Sequence, residues 1–188
     1  MKITPTEIAE VLLIEPDVFG DARGWFFESY SALRHAEHGL KATFVQDNAS
    51  RSPRGVLRGL HMQSPPSSQG KLVSALVGEV YDVAVDVRVG SPTFGKHVAR
   101  YLSAENKHQM YIPPGFAHGF CVTSEEAIFS YKCTRYYDQK ADLSIAFNDP
   151  AIGIAWPIEQ PVLSKKDLDA KPLAAIAPER LMRFGAGS

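Results

Sequence analysis

From Lys71 to Thr134 the sequence alternates short runs rich in β-branched and aromatic residues with compact turn signals, and this rhythm constrains the fold more than any other feature. Closely spaced strands bounded by Gly, Pro, Ser and Asn clusters are the pattern of an antiparallel sandwich or barrel. Lys71 to Val77 reads as a strand, Gly78-Glu79 as a turn, and Val80 to Val87 as a returning strand. Side chains alternate along a strand, so Tyr81, Val83, Val85 and Val87 share one face while Asp82 and Asp86 share the other. Gly90-Ser91-Pro92-Thr93 precedes a strand around Lys96 to Leu102, and Ser103 to Lys107 separates that strand from His108 to Ile112. Pro113-Pro114-Gly115 breaks the run, and further strands are expected at Gly119 to Thr123 and Ala127 to Thr134, joined by Ser124-Glu125-Glu126. The spacing predicts a closed, mainly β barrel.

Helix is scarce. Ser31 to His38 fits one short helix, with Ser31 as N-cap and Gly39 placed to end it, and a second follows Ser164. At 188 residues, with no repeat or linker, the chain reads as one domain spanning residues 1–188, with a flexible end over Gly185 to Ser188.

Composition removes several function classes. A formal net charge of −1 lacks the basic excess of a general nucleic-acid binder, so no nucleic-acid partner is expected. Nothing resembles a transmembrane span, and Met1 to Glu7 lacks the features of a secretory signal, so a cytoplasmic protein without a membrane partner is expected. Cys121 and Cys133 lack the spacing of zinc or redox motifs and read as buried, inert thiols.

Tyr111 to His118 contains P-x-G-x-x-H, which resembles the second half-motif of cupins. In metal-binding cupins an earlier half supplies an H-x-H pair and a glutamate, so that imidazoles and a carboxylate enclose one ion. Here that half is Leu60-His61-Met62-Gln63, with no second imidazole two residues on, so no metal is expected. A lone histidine at a strand end is more often hydrogen-bonded and inert, but Arg58 and Lys71 lie close in sequence to His61, a grouping that suits an acidic ligand. Lys71 also shares strand parity with Val73, Ala75 and Val77, where a lysine needs a reason. Tyr131, alternating with Phe129 and Cys133, reads first as core packing. Asp167 completes Ser164-Lys165-Lys166-Asp167, the S-x-x-D form of a helix capping box, and a functional role competes with that reading.

Six stretches together resemble the dTDP-4-dehydrorhamnose 3,5-epimerase family: Phe19 to Ser29, Phe44 to Asn48, Val56 to His61, Gln69 to Val73, Leu102 to Lys107 and Pro114 to Phe120. The likeness runs from about Pro16 to Asp167. It implies a cupin-like double-stranded β-helix, a jelly-roll barrel with short peripheral helices. It also implies a homodimer with exchanged N-terminal strands, and a substrate that is a dTDP-linked 4-keto-6-deoxy sugar inverted at C3 and C5 without a cofactor. The product would be the precursor of dTDP-L-rhamnose, destined for cell-surface polysaccharide.

By the same resemblance His61 is the general base, Asp167 orients its imidazole, Lys71 stabilises the enolate oxygen and Tyr131 is the general acid. Arg23, Phe26, Glu28, Gln46, Asp47, Asn48, Arg58, His118, Tyr137, Asp142 and Lys166 fall on substrate or nucleotide contacts, with Arg23 and Glu28 serving a second subunit's pocket. The chain departs from the family at Asp142-Leu143, where a glutamate and a glycine are usual, and at Phe147, where tryptophan is common. Two other functions remain open at this level: an enzyme of the same family restricted to one centre or to another keto sugar, and a non-catalytic sugar-nucleotide-binding cupin.

Overall fold

The computed structural model describes residues 1–185, so the expected flexible end lies, beyond Gly185, outside the described residues. In chain order the strands are β1 (Lys2–Pro5), β2 (Leu12–Glu15), β3 (Val18–Asp21), β4 (Gly24–Phe27), β5 (Gln46–Pro53), β6 (Leu57–Gln63), β7 (Lys71–Val77), β8 (Glu79–Asp86), β9 (His97–Ser103), β10 (Gln109–Ile112), β11 (Phe116–Val122), β12 (Glu126–Cys133) and β13 (Asp142–Ser144). The helices are α1 (Ala32–Glu37) and α2 (Lys165–Leu168), and the Ser31 and Ser164 hydroxyls cap them as the sequence suggests. Gly39 follows α1 at φ +94°, a conformation open to glycine.

Two antiparallel sheets face each other as a jelly roll. One has the order β1-β2-β10-β7-β12-β5, the other β13-β6-β11-β8-β9, and β3-β4 form a separate ribbon. The expected return of β8 alongside β7 does not occur. The chain turns at Gly78 and crosses to the opposite sheet, where β8 pairs with β9 and β11. β11 and β12 are likewise split between the sheets. Sequence alternation reveals strands, whereas their partners depend on how sharply each corner turns. The corner at Gly78 is tight enough that a Cβ there would lie 1.9 Å from the Glu126 carbonyl oxygen.

The core lies between the sheets, where Val73, Ala75, Met110, Ile112 and Phe129 meet Val80, Ala84, Leu102, Phe120 and Val122. The outer face of the five-stranded sheet is covered too: Leu60, Met62, Val83, Val85 and Val87 pack against Ile152, Leu173 and Leu181 from the C-terminal segment. The face of β8 that carries Asp82 is therefore the inner one, shared with Val80 and Ala84, and Asp82 and Asp86 are both fully buried.

Candidate active site

At one end of the sandwich the inner faces change from apolar to polar. Beyond Val73 on β7 comes Lys71, and beyond Phe129 on β12 come Tyr131 and then Cys133, which stands opposite Lys71 across the ladder. On the other sheet β6 and β11 bring His61 directly opposite His118, with Asp82 one strand further in. These residues border a cavity of about 390 Å³, also lined by Gln46, Asn48, Arg58, Tyr137, Asp142 and Lys166.

The backbone that places the two histidines depends on glycine. Gly59 has φ +144°, and a Cβ on it would lie 2.5 Å from the Gly119 Cα. The strands approach that closely beside a register shift between His118 and Phe120, which turns Arg58 and His61 toward the same cavity.

His61 Nε2 lies 2.5 Å from Asp167 Oδ1, and Asp167 is only 3% exposed, whereas the His61 side chain keeps 31% of its surface open. The Ser164 hydroxyl donates to Asp167 Oδ2 over 2.8 Å and accepts the Asp167 backbone N–H over 3.2 Å. The helix-capping role and the imidazole-orienting geometry thus coexist in one residue. Burial pushes the Asp167 carboxyl upward, but hydrogen bonds from His61 and Ser164 and the nearby positive charges outweigh it and hold the group below its ordinary value. A carboxylate on Nε2 makes that nitrogen the donor and leaves the Nδ1 lone pair for chemistry. Lys166 pairs with Asp142 at 2.5 Å, fastening the short α2 to β13, which in turn pairs with β6 beside His61.

Lys71 donates to the His61 carbonyl oxygen over 3.4 Å, and burial lowers its ammonium from the usual lysine value. Burial also raises the Tyr131 phenol, partly opposed by the Arg58 charge, and lowers the His118 imidazole, which is held 2.8 Å from Asp82 Oδ2. Tyr131 packs against the core cluster and lines the cavity, so its packing reading and its site position are both realised. Arg58 directs Nε and Nη2 to the buried Ser52 hydroxyl, 3.1 and 3.0 Å away. Gln46 accepts the Tyr137 backbone N–H over 2.9 Å and donates to Asn48 over 3.0 Å, which ties the loop carrying Tyr137 to β5.

The structure does not bring every sequence candidate to this cavity. The Asp47 carboxylate is bonded to Lys132 at 2.9 and 3.0 Å, and Asp47 is absent from the lining. Arg23 bonds Asp21, Glu28 bonds Arg34, and Phe26 is 68% exposed on the β3-β4 ribbon, so none of the three lines this chain's cavity. Sequence reading passed over Asp82, Gln63 and Gln69. The last two hold backbone groups of Asp138 and Arg135 and so shape the loop leading to Tyr137. Cys121 and Cys133 are both buried free thiols, and burial pushes Cys121 up to about 11. A larger hollow of about 1190 Å³ lies elsewhere, and its lining contains none of the candidate residues.

Among the described residues, no group of three or more His, Cys, Asp or Glu could hold a metal ion, and no helix is long and apolar enough to cross a membrane. What the cavity offers is a carboxylate-oriented imidazole, a partly buried ammonium and a phenol around one space. That set can remove a carbon-bound proton, hold the resulting oxyanion and return a proton.

Comparison with known proteins places this arrangement in context. The family model for dTDP-4-dehydrorhamnose 3,5-epimerase matches residues 5–175. The dTDP-4-dehydrorhamnose 3,5-epimerase of Salmonella typhimurium is 57% identical over 172 residues, covering 90% of this chain and 94% of that one. The crystal structure of a dTDP-6-deoxy-D-glucose-3,5-epimerase from Legionella pneumophila, in complex with dTDP-4-keto-L-rhamnose, superposes with a TM-score of 0.95 at 55% identity, covering 98% of this chain and 99% of that one. A dTDP-4-dehydrorhamnose 3-epimerase of Streptomyces niveus is 39% identical over 175 residues, covering 93% of this chain and 84% of that one.

Proposed function

The chain belongs to the dTDP-4-dehydrorhamnose 3,5-epimerase family, and we propose that the cavity performs that reaction with His61 as base, Lys71 as enolate stabiliser and Tyr131 as acid. The enzyme inverts C3 and C5 of dTDP-4-dehydro-6-deoxy-D-glucose, giving dTDP-4-dehydro-L-rhamnose. Both carbons flank the C4 ketone. A proton on either is weakly acidic until the enolate oxygen is held by a positioned cation, and Lys71 supplies one. His61, its tautomer set by Asp167, takes the proton, and Tyr131 delivers a new one to the opposite face, directly or through water. Because both centres share one carbonyl, one cation serves both deprotonations after a modest shift of the ring.

The observation that carries this reading is the short His61–Asp167 hydrogen bond at the edge of a cavity that Lys71 and Tyr131 also line. Gln46, Asn48, Arg58, His118, Tyr137, Asp142 and Lys166 are read as contacts to the sugar nucleotide. Asp47 is read as a ligand contact by resemblance alone, since its carboxylate is engaged by Lys132 and it does not line this cavity. Arg23, Phe26 and Glu28 are read as contacts to a second subunit's ligand in a homodimer. The ribbon that carries Arg23 and Phe26 exposes Phe19, Trp25 and Phe26 away from this chain's own cavity. Sedimentation at micromolar concentration checks the dimer, and a fully active monomer would contradict it. A cytoplasmic location accompanies this reading, and cell fractionation tests it.

Proton NMR of dTDP-4-dehydro-6-deoxy-D-glucose with the enzyme in deuterated water tests the function itself. Exchange at both C3 and C5 with formation of the L-sugar is expected. The Streptomyces niveus relative and the Asp142-Leu143 departure favour a single-centre enzyme as the second reading, which exchange at C3 alone would support. No exchange at either carbon would leave only a binding role.

A further inference from the structure

The pocket holds a second carboxylate–imidazole pair that the reaction scheme has not used. Asp82 lies on the inner face of β8 between Val80 and Ala84, positions filled by core side chains, and is fully buried. Its Oδ2 accepts from His118 Nε2 at 2.8 Å, while its Oδ1 is buried with no partner among the described residues. A buried carboxylate with one oxygen unsatisfied is costly, and an apolar residue would suit this strand position better unless the charge serves a purpose. The His118 ring stacks on Phe129 at a centroid distance of 5.9 Å and an interplanar angle of 18°, so its plane is set by the core. His118 lines the cavity, whereas Asp82 lies behind it, and Nδ1 makes no hydrogen bond to the described residues.

We propose that Asp82 is a positioning residue: it fixes His118 as the Nε2–H tautomer and so presents Nδ1 to the cavity as an acceptor for a hydroxyl of the bound sugar. This rests on the reading of the cavity as a keto-sugar site. Burial lowers the His118 imidazole despite the Asp82 charge, which keeps the ring neutral and the Nδ1 lone pair available near neutral pH. The two histidines then divide the work. His61 takes a proton from carbon, and His118 receives a hydrogen bond that orients the ring over it.

The experiment reads the His118 ring nitrogens by nitrogen-15 NMR, assigned against His118→Asn, and kcat/KM in parallel, for the parent, Asp82→Val and Asp82→Asn. The parent should show a protonated Nε2 and an unprotonated Nδ1. Asp82→Val suits a strand between Val80 and Ala84 and removes the acceptor, so the proton should move to Nδ1 and kcat/KM should fall roughly 10- to 100-fold with no loss of Tm. Asp82→Asn keeps a carbonyl acceptor and should recover much of that loss. A parent His118 protonated at Nδ1, or a folded Asp82→Val with parental kcat/KM, would overturn the proposal. If Asp82→Val does not fold, the parent tautomer still decides. A parent protein that exchanges neither C3 nor C5 would instead sink the reading of the cavity, leaving the tautomer result to judge Asp82 separately.

Discussion

Asp167 gives one carboxylate oxygen to His61 and the other to Ser164, so the residue that starts α2 also orients the base. Asp167→Asn keeps the shape but offers no second anionic oxygen, and loses the charge that favours an imidazolium. Exchange at C3 and C5 is expected to slow by about 10²-fold or more, with kcat affected more than KM. Ser164→Ala should cost less activity but destabilise α2 by about 1 kcal/mol, measured by denaturant unfolding.

Tyr131→Phe removes only the phenolic donor. If Tyr131 reprotonates the face opposite His61, deuterium should still enter from the His61 side without inversion, leaving residual exchange and much less epimer. Time-resolved NMR of both signals checks this, and equal inversion rates in the variant and parent would remove the tyrosine from the scheme.

Much of this site is legible in the sequence, for different physical reasons. Lys71 stands out as a charged residue on a strand parity otherwise apolar, His61 through its nearness to Arg58 and Lys71, and Tyr131, which alone reads as core packing, only through the order of the family's motifs. Asp82 instead fits an alternation, on the face opposite Val83 and Val85, and so reads as an ordinary polar position. Only the cover supplied by Leu173 and Leu181 reveals that the aspartate face is the inner one. The crossing at Gly78 was hidden for a related reason, since a glycine marks a turn but not the sheet in which the next strand pairs.

Stability should fall in two steps with pH. Burial lowers both His35 and His118 below their ordinary value of about 6.5. Below that value the unfolded chain takes up protons that the native state resists, so stability is full above it and declines as pH falls. Glu28, His38 and Arg34 act on His35, and Asp82, Lys71 and His61 on His118. Asp86 and Asp167 have depressed native values despite burial, because hydrogen bonds and positive charge outweigh it, so their contribution is present above about 3.8 and lost as pH drops through the native values. Calorimetric Tm against pH should show both limbs. His35→Gln should flatten the one between about pH 5 and 7, where an unchanged slope would exclude His35.

The most direct measurement is site-resolved deuterium exchange with His61→Asn, which replaces the base with a polar group of similar size. One base for both centres requires C3 and C5 exchange to fall together, by about 10²–10⁴-fold, while the variant keeps its fold and still binds the sugar nucleotide. Exchange continuing at the parental rate at either carbon would contradict a single base at His61.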